Sequence, residues 1–137
     1  MNIMSRQVQK SESRAVKVAL DHIEAWSNQN YDEVRKRLSN DVHVTVTTTQ
    51  PIMSATDTVG IDKYMEGLKK FGQIVVPGSA EIISSVGDEQ NALITVMVKA
   101  TVGPGGAKLP LLGSRLYLLD ENGKIKSEQV TFCVLSS

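Results

Sequence analysis

The chain has 137 residues, with fifteen basic side chains balancing fifteen acidic ones, and this length suits one domain that buries about 70 % of the surface its unfolded form would expose. Zero net charge leaves no overall field to draw nucleic acid or an anionic membrane to the surface, and the basic runs Arg35-Lys36-Arg37 and Lys69-Lys70 lie among polar residues on solvated helix faces. No stretch reaches membrane-spanning length, the N-terminus lacks the apolar core of a secretory signal, and Cys133 has no second thiol to pair with, so a cytoplasmic protein free of disulfides is expected.

One domain over residues 1–137 is expected, with residues 1–10 as a loose arm. From Ser11 or Ser13, either a suitable N-cap, the apolar residues Val16, Ala19, Leu20, Ile23 and Trp26 recur at helical spacing. Asn30 followed three residues later by Glu33 reads as a capped start for a second, short helix running to about Leu38. Val42 to Thr47 alternates apolar and polar residues and predicts a half-buried strand. The stretch from Thr48 to Thr58, with Pro51 and many small polar residues, reads as a connection. Ile61, Tyr64, Met65, Leu68 and Phe71 then define a third helix, closed by Gly72.

Beyond Pro77-Gly78 the pattern changes to long β-type runs at about Ala80 to Val86, Asn91 to Val102, Leu109 to Leu119 and Lys124 to Leu135. Asn122-Gly123 between two apolar runs is a hairpin signal, and the turns at Gly87 to Asn91 and Gly103 to Gly106 make the four strands an antiparallel meander. The fold class is therefore α+β, with three N-terminal helices on one face of a curved antiparallel sheet. Apolar residues in both parities, as in Ala92 to Val98, call for cover on the outer face too, and a second copy of the chain is the expected supplier.

Three stretches, Ile23 to Asp32 leading to Leu38-Ser39-Asn40-Asp41-Val42, Gly60-Ile61-Asp62-Lys63-Tyr64-Met65, and Asp120 to Ile125, occur in an order and spacing that resembles the NTF2-like superfamily, including its SnoaL-like members, from about Ser11 to Leu135. The resemblance implies a cone-shaped fold, a pocket between the concave sheet face and the helices, and dimerisation through the outer sheet face. It does not select an activity, because isomerases, polyketide cyclases, dehydratases, epoxide hydrolases and transport adaptors share this fold. Against the steroid isomerases of the superfamily the chain departs at each chemical position: the helix-one tyrosine falls on His22, the aspartate base near Val46, and the oxyanion-hole aspartate near Leu112. Enolisation by that route is not expected.

His22 lies beside the apolar stripe one turn before Trp26 and faces the interior, as a general acid–base or as a satisfied core histidine. Glu128 shares strand parity with Val130, Phe132 and Val134, which half-buries it if that parity faces the pocket, and His22 is its natural partner. These two are the catalytic candidates, while Trp26, Tyr64, Met97, Leu112 and Phe132 are candidate ligand contacts or plain packing residues. His43 should face away from the core, Arg115 needs an acidic partner or an interface rim, and Cys133 reads as a buried small hydrophobe.

Gly103 to Lys108 is similar to a phosphate-binding loop but leads into a strand, with no helix N-terminus to hold a phosphate. No ligand spacing for a metal and no nucleotide fingerprint is present, so no cofactor is expected. The sequence thus indicates a homodimeric protein binding a small apolar molecule, either a cofactor-free isomerase, cyclase or lyase, or a non-catalytic module for a lipid-like ligand or protein partner.

Overall fold

A computed structural model describes residues 13–48 and 56–135. The expected arm at 1–10, the alternative cap Ser11 and most of the connection from Thr48 to Thr58 lie outside the described residues. Helix α1 (Arg14–Ser27) starts at Ser13, whose hydroxyl accepts the Val16 N–H. Its stripe of Ala15, Val16, Ala19, Ile23 and Trp26 is buried against the sheet, where each large apolar side chain contributes roughly 1.5–3 kcal/mol. Helix α2 (Tyr31–Lys36) follows at once. The expected side-chain cap at Asn30 does not form; the Asn30 carbonyl instead accepts the Val34 N–H, so backbone alone opens this short helix.

Strand β1 (Leu38–Thr48) begins where the second helix was expected to end, and a short strand β2 (Thr56–Val59) pairs antiparallel with it. Helix α3 (Ile61–Gly72) packs on both. Its last residue is Gly72, where a Cβ would collide with the Tyr31 hydroxyl. Strands β3 (Glu81–Gly87), β4 (Asn91–Thr101), β5 (Lys108–Leu119) and β6 (Ile125–Val134) form the expected meander. At its last turn Gly123 adopts φ 81°, and Asp120 accepts the N–H groups of Asn122 and Lys124.

The sheet order is β2-β1-β6-β5-β4-β3, and β1 runs parallel to β6. The expected antiparallel sheet is therefore mixed: β1 supplies the partner that the last strand of the meander would otherwise lack. Register shifts in β1–β6, β3–β4 and β5–β6 bend the strands into a curved sheet whose inner face is covered by the helices. Strand alternation corrects two expected pocket residues. Ile94, Val96 and Val98 point inward, so Met97 points outward; Leu111 and Gly113 point inward, so Leu112, its partner across the ladder, points outward as well. Cys133, expected in the core, is half-buried on the same outer face, next to inward Phe132.

Candidate active site

Among the described residues four polar or charged side chains are buried, and three of them form one continuous cluster with Tyr64: His22 from α1, Arg115 from β5 and Glu128 from β6, none more than 6 % exposed. Strand parity places the last two. Arg115 alternates inward with Gly113 and Tyr117, and Glu128 with Val130 and Phe132. Arg115 donates to one Glu128 oxygen at 3.1 Å, and the Tyr64 hydroxyl, from α3, donates to the other. His22 Nε2 lies 2.8 Å from the same hydroxyl. His22 and Glu128, expected as direct partners, therefore do not touch; Tyr64 stands between them. A hydroxyl has one proton, so with that proton on Glu128 it accepts from His22, which fixes the neutral ring as the Nε2–H tautomer.

The charges follow from the surroundings. Burial dominates at His22 and lowers its pKa to about 4, against the upward pull of Glu128 and with a further push down from Arg115 and Arg37. At Glu128 burial works to raise the pKa, but the Arg115 guanidinium and the hydrogen bond from Tyr64, helped by the nearby Tyr117 hydroxyl, outweigh it and hold the carboxyl below its ordinary value. Because His22 is uncharged at neutral pH, the Arg115 guanidinium is the charge that acts there. Burial and the nearby carboxylate raise Tyr64 and Tyr117 well above 10, so both keep their protons. The site at neutral pH is a carboxylate and a guanidinium, flanked by two phenols and a neutral imidazole.

Arg115 also packs its guanidinium against the rings of Trp26, at 4.7 Å, and Phe71, at 5.6 Å, an arrangement that offsets part of the cost of burying its charge. Tyr117, which sequence reasoning missed, is fully buried edge-on to the His22 ring. Its hydroxyl lies near enough to Glu128 and Arg115 to influence both, yet closes no hydrogen bond. Its inward parity with Arg115 was the available signal. Among the described residues, the buried side-chain polar atoms without a partner are His22 Nδ1, Trp26 Nε1, Arg115 Nε and Tyr117 Oη, and all belong to this cluster. Each costs roughly 1–3 kcal/mol, so the fold concentrates its unmet hydrogen bonding at one place.

Above the cluster a cavity of about 390 Å³ runs between α3 and strands β2, β1, β6 and β5. Val44, Val46, Leu68, Phe71 and Val130 wall it, while Tyr64, Arg115 and Glu128 form its floor. Trp26, expected as a ligand contact, lies behind Arg115 rather than on the cavity wall. Phe132 faces a separate void of about 10 Å³ beneath Phe71 and Arg115. Among the described residues no group of three or more His, Cys, Asp or Glu side chains is placed to hold a metal, and no helix is long and apolar enough to cross a membrane.

A family model described as the SnoaL-like domain matches residues 19–128, which include every residue of this floor. The chain belongs to the SnoaL-like family. Solved structures carry the same NTF2-like cone. A candidate SnoaL-like polyketide cyclase from a Jannaschia species superposes with a TM-score of 0.72 at 12% identity, covering 87% of this chain and 85% of that one. An LEH-like epoxide hydrolase from M. tuberculosis gives 0.65 at 16% identity, covering 87% and 82%, and an NTF2-like protein of unknown function from Cytophaga hutchinsonii gives 0.62 at 18%, covering 86% and 88%. At such identities the likeness extends to the fold alone. No curated protein matches the chain.

Proposed function

We propose that this SnoaL-like domain binds a small, largely apolar molecule in the cavity and moves a proton within it, with Glu128 as the base. The observation that supports this is a buried, ionised carboxylate at the closed end of an apolar cavity. An ion pair in that position is costly compared with apolar packing, whereas a carboxylate beside a bound molecule is what proton abstraction needs. Glu128 would take a proton from the bound molecule, become a carboxylic acid, and return the proton to a second atom or to a departing group, the overall change in an isomerisation, cyclisation or elimination. Arg115 and Tyr64 orient the carboxylate, and His22 acts as a positioning residue through Tyr64.

A second reading, a non-catalytic binding domain, is favoured by one feature: both Glu128 oxygens are already bonded and its pKa is depressed, which makes a weak base. Native mass spectrometry of protein incubated with a cell metabolite extract would find the retained molecule, with Val46→Trp as the blocked-cavity control. Incubating that molecule with the protein in D₂O separates the readings. Deuterium incorporation by wild type and its loss in Glu128→Gln supports catalysis; binding without incorporation supports the binding domain; retention undiminished in Val46→Trp contradicts both.

A further inference from the structure

The walls of the cavity are apolar, but its mouth is not. Thr56 and Thr58 line it from β2, opposite Val46 and Val44 in the ladder. Lys63, Glu66 and Lys70 line it from α3, at spacings of three and four residues that put them on one helix face. Glu66 is spaced to pair with either lysine, yet among the described residues neither Lys63 nor Lys70 takes part in an ion pair. The Thr56 and Thr58 hydroxyls are likewise without a side-chain hydrogen bond there. Arg115 and Glu128 neutralise each other on the floor. The mouth therefore presents two unpaired ammonium groups and two unpaired hydroxyls against a single carboxylate: an excess of donors and about one net positive charge.

We propose that the molecule bound in this cavity is an amphiphilic carboxylate, its apolar body along Val44, Val46, Leu68, Phe71 and Val130 and its carboxylate at the mouth, held by Lys63 or Lys70 with the threonine hydroxyls. The inference rests on the cavity being the ligand site and deepens that reading by naming the ligand class. A monoanion matches the net charge of the mouth, and a carboxylate supplies acceptors to the unpaired donors. The lysines are two turns apart, about 10 Å along the helix, so the carboxylate meets one at a time while both contribute to the attracting field. The opposite end of the molecule then faces Glu128, which keeps the two carboxylates apart.

Calorimetric titration with octanoate, 1-octanol and octylammonium tests this, each against wild type and the Lys63→Gln/Lys70→Gln double variant, whose changes are confined to exposed side chains. At low salt, octanoate should bind wild type up to about fivefold tighter than octanol, the upper end expected of one exposed charge pair, and octylammonium most weakly. Added salt should shrink the preference, and the double variant should abolish it while leaving octanol affinity unchanged. Octanoate binding no tighter than octanol, or a preference that survives the double substitution, overturns the inference while leaving the cavity as the ligand site. Failure of all three probes to bind overturns the inference and the reading beneath it together.

Discussion

Arg115 and Glu128 are diagonal neighbours across the β5–β6 ladder: Arg115 is in register with Val130, Glu128 with Tyr117, and the guanidinium crosses the step to reach the carboxylate at 3.1 Å. Replacing one partner leaves the other charged, buried and unpaired. Arg115→Met is expected to destabilise the protein by about 3–5 kcal/mol. Arg115→Met/Glu128→Gln should lose clearly less than the sum of the two single changes. Urea denaturation of the four proteins of this cycle measures the coupling, and additive losses would show that the pair does not act as a unit.

Tyr64 carries the hydrogen bond between His22 and Glu128. Tyr64→Phe keeps the ring and its burial but leaves two buried polar atoms without a partner. A loss of about 1–3 kcal/mol is expected, accompanied by a rise in the Glu128 pKa, since one of the groups holding it down is gone. Denaturation and carboxyl-carbon NMR of Glu128 check the two effects.

The depressed His22 pKa gives stability a definite pH dependence. The folded state resists protonation down to about pH 4, while the unfolded chain takes up that proton near 6.5. The unfolded state then binds more protons in between, so stability is full above about pH 6.5 and falls as pH drops towards 4, by an amount on the order of 3 kcal/mol. Glu128, also depressed, adds a loss that begins lower, as pH falls below its ordinary value of 4.5. His22→Gln should flatten the upper part of this profile, between about pH 6.5 and 4.5, and an unchanged slope there would contradict the assignment.

The outer sheet face offers Val86, Leu93, Leu116, Met97 and Leu112, the first three among the exposed large hydrophobics. A patch of this kind is expected to be covered by a second copy of the chain. Light scattering at micromolar concentration should give a dimer, and Leu93→Lys/Leu116→Lys should give a folded monomer. A wild-type monomer would show that this face stays bare.

Much of this was legible in the sequence because it depends on period. Helical spacing placed Ala19, Ile23 and Trp26 in the core and turned His22 inward, and strand parity placed Glu128 with Val130 and Phe132. The same parity rule excluded Met97 and Leu112 from the cavity, but their strands are apolar on both faces and the sequence gives no sign of which is inside. The parallel pairing of β1 with β6 and the meeting of Tyr64 with Glu128, 64 residues apart, are consequences of tertiary packing, which no local pattern encodes. Arg115 announced itself as a charge in an apolar strand, whereas Tyr117 resembled any other packing aromatic.

Binding of a small molecule in the cavity above Arg115, Glu128 and Tyr64 can be followed by methyl NMR during titration with 1-octanol. Saturable shifts are expected for the Val44, Val46, Leu68 and Val130 methyl signals together with Arg115 Nε–H, and none at Met97 or Leu112 on the opposite face. Shifts confined to Met97 and Leu112, or no saturable shift at the cavity methyls, would contradict binding in the cavity.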